Sequence, residues 1–208
     1  MAIEKKLLVG LCLTSLLLLT ACPNPCVNEL PLYNFYVEAY FTPEKDSLRV
    51  GDTLYFISEF PKRLNPHGSQ SSVDYSNANI SGSLSVVKLT PRTQFGTDAV
   101  FDFEYVSLAG QMYNTRDIPN PDGFQQFFYQ ESEDKYHIKI AIIPKEKGTY
   151  GLGILSTASN GRSGGNGCDK ASFNTTVSNT DINVHYLEEF TGLPVTIRPS
   201  NGYYFRVY

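Results

Sequence analysis

Few residues in this 208-residue chain have the type and spacing that chemistry demands. Its three histidines, His67, His137 and His185, stand singly, without the paired spacing of a zinc site or a neighbouring nucleophile. In "PNPDGFQQFFY", Asn120, Asp122 and Gly123 match three positions of a calcium loop. The first and twelfth ligand positions then fall on Ile118 and Tyr129, and neither carries a carboxylate. Asp117 leaves room for irregular ligation, but a Pro-Asp-Gly turn accounts for the stretch. "NGRSGGNG" is glycine-rich yet lacks the Gly-Lys-Ser/Thr ending of a phosphate loop. It reads as a loop, the kind of segment on which binding often resides. Glu131, Glu133 and Asp134 cluster, and Glu188 and Glu189 adjoin. Glycoside hydrolysis needs two carboxyl groups facing each other across a cleft, which sequence neighbours do not supply. A solvated face explains them. No metal site, cofactor or catalytic residue is therefore expected, and the chain reads as a non-enzyme.

One cluster remains as a possible binding site. Phe124, Phe127, Phe128 and Tyr129 place four rings within six residues, flanked by glutamines. Two readings stay open: a kinked core strand, or an exposed ridge for ligand stacking or partner docking.

The cysteines say more about address than about activity. Lys5 and Lys6 precede an apolar run from Leu7 to Leu19. At ~1.5 Å per residue this run reaches only ~20 Å as a helix, short of a ~30 Å bilayer core but right for a secretory leader. "LLLLTACPNPC" follows, and Leu19-Thr20-Ala21-Cys22 resembles the lipobox of bacterial lipoprotein signal peptides. That resemblance implies a diacylglycerol on the Cys22 sulfur, cleavage before it, and palmitate-type acylation of the new N-terminus. Several acyl chains anchor durably where one is marginal. Cys12 would leave with the leader. Cys26 and Cys168 would remain in an oxidising compartment and pair as a disulfide. A loop of about 140 residues closed this way is worth roughly 5 kcal/mol on the chain-entropy model. Two free thiols are the alternative. Surface-exposed lipoproteins can carry an acidic run after the lipidated cysteine. Here Pro23-Asn24-Pro25 stands instead, favouring the periplasmic face of the outer membrane.

Residues 1–21 hold Lys5, Lys6 and Glu4. Without them the 17 basic and 21 acidic residues become 15 and 20, a net charge of −5. This balance lacks the basic footprint of nucleic-acid binding. Nothing after the leader is apolar for long enough to span a bilayer as a helix. Tyr (14) and Phe (13) are plentiful and Trp is absent, a composition that leans toward strands.

Period-two alternation dominates. It sets Phe35, Val37, Ala39 and Phe41 inward, then Phe101, Phe103 and Tyr105, with Asp102 and Glu104 outward. Tyr136, Ile138, Ile140 and Ile142 follow, with His137 and Lys139 in water. Tyr150, Leu152 and Ile154 oppose Gly151 and Gly153, a bare face suited to close backbone approach. Tyr203, Phe205 and Val207 close the chain. "DSLRVGDTLYFISEF" reads as two strand segments about a Val50-Gly51-Asp52 turn, and "SGSLSVVKL" as one more strand. About eight strands split by turn residues predict an all-β antiparallel sandwich. In "TDINVHYLEEFTG", Ile182, Tyr186 and Phe190 recur at helical spacing, with Thr180 or Asp181 as cap and Gly192 as stop. At most one short helix is expected, although a strand could occupy the same residues.

"LRVGDTLYF" and "IPKEKGTYGLGIL" resemble immunoglobulin-type sandwiches, in which a charged turn and a glycine lead into a Tyr-bearing strand. Their core Trp is absent. The chain thus resembles exported lipoproteins carrying such a sandwich: leader 1–21, lipidated stalk 22–32, one domain 33–208. The expected function is a non-catalytic binding or accessory module of the cell envelope. It would be held to the membrane by lipid and would engage an envelope protein or a glycan. The alternatives are a glycan-active hydrolase on a sandwich scaffold and a structural or adhesive surface subunit.

Overall fold

Alternation from Tyr33 to Thr42 is the first feature of the computed structural model, which describes residues 31–91, 96–113, 123–163, 169–181, 183–195 and 201–208. Cys22, Cys26 and Cys168 lie outside the described residues. So do Asp117, Ile118, Asn120, Asp122, Ile182 and residues 164–167 of the Gly-rich stretch.

Fifteen strands are described. In chain order they are β1 (Tyr33–Thr42), β2 (Ser47–Leu48), β3 (Leu54–Pro61), β4 (Arg63–Leu64), β5 (Val73–Asp74), β6 (Ala78–Leu89), β7 (Thr97–Asp98), β8 (Phe103–Ala109), β9 (Gln111–Met112), β10 (Phe124–Phe128), β11 (Gln130–Glu131), β12 (Lys135–Pro144), β13 (Gly148–Arg162), β14 (Ala171–Val177) and β15 (Gly202–Val207). A 3₁₀ turn covers Val100–Asp102, and one short helix, α1, covers His185–Thr191.

Strand pairing runs from β12 through β3, β1, β14, β13, β6 and β10 to β9. β8 leads into β9 through Gly110 and pairs back onto β12, so the circuit closes. The result is an all-β sandwich. One sheet holds β8, β12, β3, β1 and β14, and the other β15, β13, β6, β10 and β9. At one corner β14 meets β13 through only Ser172↔Ala158 and Ala171↔Ser159. At the other, β8–β9 and β10–β11 cross between sheets, since β10 pairs with β6 while β11 pairs with β12. Closure leaves few open edges. Most pairs are antiparallel, as expected, but β1–β14 and β15–β2 are parallel.

Gly110 makes the crossing possible. Its φ is +79°, and a Cβ there would stand 2.5 Å from the Phe128 carbonyl oxygen. Only glycine tolerates both.

Inside, rings replace the missing Trp. Tyr203 stacks on Phe41 at 5.0 Å, Phe41 meets Phe56 at 5.4 Å, and Phe56 meets Phe127 at 5.5 Å. Tyr129, Phe60, Phe173 and Phe35 continue the chain at 5.1–5.6 Å. Such pairs add about 0.5–1.5 kcal/mol each beyond the apolar area that they bury. Phe35, Val37, Ala39, Phe41, Tyr136, Ile138, Ile140, Ile142, Tyr150, Leu152, Ile154, Tyr203, Phe205 and Val207 all point inward as alternation requires.

Five local expectations need correcting. Phe101 lies in the 3₁₀ turn and is exposed, and Val100 fills the inward position. The turn draws Asp102 inward, where Tyr150 Oη donates to Asp102 Oδ2 at 2.8 Å and Lys88 Nζ stands 3.4 Å from the same oxygen. His137 is half-buried rather than in water, and its Nδ1 is buried without a hydrogen-bond partner. Gly151 faces the Tyr204 ring rather than another backbone: a Cβ would lie 3.0 Å from Tyr204 Cε1. Finally, α1 starts later than its expected cap. Val184 occupies the N-cap without a side-chain bond, while Gly192, left-handed at φ +70°, ends the helix by donating to the Glu188 carbonyl at 2.8 Å.

Candidate functional site

The aromatic stretch splits across β10. Phe127 lies opposite Gly82 and fills the space that a Cβ there would need, so it belongs to the core. Tyr129 is buried as well, with its hydroxyl 3.0 Å from Ser58 Oγ, and burial pushes its phenol far above the ordinary value. Phe124 and Phe128 alternate to the outer face and are half-buried. The four rings therefore do not form one ridge.

The outer half sits on an uncharged face. Register sets Gln111 opposite Phe128 and Phe128 opposite Ser81. Gln126 lies opposite Ser83, which lies opposite Ser156. Tyr113, half exposed, is held by two bonds. Its N–H donates to the Gln126 carbonyl at 3.0 Å, and its own carbonyl accepts from the Nε2 of the buried Gln125. Beside it a cleft of about 510 Å³ is lined by Asn79, Gly110, Gln111, Tyr113, Phe128, Tyr129 and Gln130.

The opposite sheet carries a different surface, which the sequence reading passed over. Cross-strand partners share a face in antiparallel sheets. Tyr40 lies opposite Ile57, and Ile57 opposite Lys139. Tyr55 lies opposite Ala141, and Ala141 opposite Val106. Leu108 sits at the bulge between the Lys139 and Ile140 registers. Tyr40, Val106 and Leu108 are 41%, 39% and 54% exposed. Lys139 Nζ stands 5.0 Å over the Tyr55 ring, a cation–π contact within the face. Glu38 and Glu104 lie exposed at its borders. The available signal was apolar residues at the outward positions of alternating strands, in "YVEAY", "LYFI" and "YVSL".

Three of the clustered acids, Glu131, Glu188 and Glu189, are tied into the scaffold, while Glu133 and Asp134 are exposed. Glu131 accepts from the Asn77 N–H at 3.1 Å and pairs with Lys62 at 3.2 Å. Glu188 accepts from the Val195 N–H at 3.1 Å, and Glu189 pairs with Arg206 at 2.8 Å. The histidines are dispersed. His67 packs edge-on against Tyr36 at 5.0 Å, His185 lies on α1 against Tyr186, and His137 stands on β12. Among the described residues no group of three or more His, Cys, Asp or Glu could hold a metal. No described helix is long and apolar enough to cross a membrane.

At the base of the Gly-rich segment, Arg162 Nε and Asp169 Oδ2 stand 2.6 Å apart. This bond holds the Asp169 carboxyl below the usual carboxylate range. Arg162 Nη1 also donates to the Asp74 carbonyl at 3.0 Å, and Tyr75 Oη donates to the Asp169 carbonyl at 2.7 Å. The same pole receives the start of β1, where the N–H groups of Leu32 and Tyr33 both donate to the Lys170 carbonyl.

At the level of class, the chain is an all-β sandwich with two outer faces of contrasting chemistry. No family model matches the chain, and no curated protein matches its sequence. Solved structures with a similar arrangement include the cohesin module of a family 33 glycoside hydrolase from Clostridium perfringens. It is 12% identical with a TM-score of 0.31, covering 68% of this chain and 98% of that one. The second type II cohesin module of the adaptor scaffoldin ScaA from Acetivibrio cellulolyticus is 8% identical with a TM-score of 0.33, covering 68% and 86%. The C-terminal domain of an antigen I/II-family protein from Streptococcus pyogenes is 12% identical with a TM-score of 0.30, covering 71% and 46%. Likenesses this distant carry no activity or partner over to this chain.

Proposed function

We propose that this protein is a lipid-anchored, non-catalytic binding module of the bacterial cell envelope, tethered through Cys22 and docking a protein partner. The Leu19-Thr20-Ala21-Cys22 lipobox and the short apolar run before it support the tether. The single observation that carries the binding role is the apolar outer face of Tyr40, Tyr55, Ile57, Val106 and Leu108. Contiguous exposed apolar surface with a polar border marks interaction sites. Glu38 and Glu104 at its borders suit a partner whose own apolar patch is edged with basic groups.

The test is site-specific photo-crosslinking in intact cells. A crosslinker at Tyr40 or at Val106 is expected to capture the same envelope protein. One at Ser85, on the opposite sheet, is expected to capture none. Equal capture from both faces, or none from Tyr40 and Val106, would remove the basis for this docking face.

A further inference from the structure

We infer that the cleft at the β9–β10 edge is a binding site for a neutral saccharide. This inference is independent of the docking face, which lies on the other sheet.

The lining chemistry points to this ligand class. Three side-chain amides, Asn79, Gln111 and Gln130, surround two rings, Tyr113 and Phe128, and no described lining residue is charged. The two rings stand 6.2 Å apart at 58° and so present one face and one edge. A pyranose has an apolar C–H face that stacks on a ring and a rim of hydroxyls that both donate and accept. Amides match such a rim because each offers one acceptor and two donors. A phosphate or a carboxylate would find no cation among the described lining residues, and a hydrocarbon would leave three amides without partners. The cleft's 510 Å³ falls within the ~300–1,000 Å³ of ordinary small-molecule sites.

The site is also held in shape before any ligand arrives. Gly110 N–H donates to Gln130 Oε1 at 3.3 Å, which leaves the Gln130 amide nitrogen turned away from the bond. The backbone bonds at Tyr113 fix the strand from which its ring projects. Preorganised polar groups lose less freedom on binding, the usual route to useful affinity in a shallow cleft.

The test uses the protein purified whole in a detergent without a sugar headgroup. Maltotriose, cellotriose and triacetylchitotriose are each titrated to about 10 mM, which still reports a Kd of ~1 mM. Saturation-transfer NMR on the ligand and titration calorimetry read the binding. At least one neutral trisaccharide is expected to bind saturably. Tyr113→Ala and Gln111→Ala should each weaken it several-fold with an unchanged melting temperature, because both side chains are exposed. Three outcomes would overturn the inference: no binding across the panel, binding undiminished in the Tyr113→Ala/Gln111→Ala double variant, or preference for a trigalacturonate control.

Discussion

Tyr150 and Asp102 are joined by a 2.8 Å hydrogen bond, and the same hydroxyl lies 3.2 Å from the Glu146 carbonyl, four residues upstream. This back-bonding matches the tyrosine corner of Greek-key sandwiches. The turn before β13 is thereby tied to the turn before β8. Tyr150→Phe should cost about 1–3 kcal/mol, since it strips a partner from a partly buried carboxylate. Urea denaturation would measure it, and an unchanged midpoint would show the corner to be dispensable.

Alkaline stability should fall in a specific window. Burial raises the phenols of Tyr105, Tyr129, Tyr136 and Tyr150 well above the ordinary value near 10. Each group binds its proton more tightly folded than unfolded. Their stabilisation is therefore complete below pH ~10 and is lost as pH rises toward the folded values. Ultraviolet titration should show exposed tyrosines ionising first, and the buried ones only together with loss of the near-ultraviolet dichroism.

Asp169 should act at the acid end. Its hydrogen bond from Arg162 lowers its pKa, so its contribution is present above ~3.9 and lost as pH falls through the folded value. Asp169→Asn is expected to destabilise by about 1–3 kcal/mol at pH 7, and by progressively less as pH falls below ~3.9. A pH-independent difference would assign the effect to packing around Gly161, where a Cβ would stand 2.6 Å from Asp169 Oδ1.

The two remaining cysteine assignments make separate predictions. Cys22→Ser should abolish incorporation of radiolabelled palmitate and release the protein from membranes. Retained label would rule out Cys22 as the acceptor. For the disulfide, Tyr33 lies opposite Ala171, so the segments leading to Cys26 and Cys168 set out from adjacent positions. Six residues extend at most about 20 Å, a comfortable reach. Non-reducing peptide mass spectrometry should find Cys26 and Cys168 in one linked species, and alkylation of both without reductant would exclude it.

The sandwich was legible because a half-buried strand writes its inward face directly into the sequence. β1 and β15 followed the pattern along their length, and β12 and β13 did so at their inward positions. The pattern failed where a side-chain bond outweighed it, as at Phe101, displaced when Asp102 turned in toward Tyr150 and Lys88. The outer faces were legible only in part: Phe128 and Tyr129, which line the cleft, stood among the candidate binding residues, and the apolar face did not. The four-ring cluster looked like one feature because it is contiguous in sequence, but period two sends Phe127 and Phe128 to opposite sides. The apolar face is the converse case: Tyr40, Ile57 and Val106 come from three strands and meet only through register.

The parallel pairing of β1 with β14 has a mechanical consequence. β1 is bonded on both edges, to β14 along Tyr33–Ala39 and to β3 along Ala39–Thr42. Its far end is clasped by Asn179, whose amide donates to the Phe41 carbonyl at 2.6 Å and accepts from the Phe41 N–H at 3.1 Å. Tension on the chain ahead of Tyr33 runs along the strand, not across it. The ladder bonds then share the load in shear, where peeling would break them one at a time. Forced extraction is governed by the unfolding rate rather than by equilibrium stability. A domain loaded through β1 in this way would resist a steady pull on the chain ahead of Tyr33 better than its melting temperature suggests.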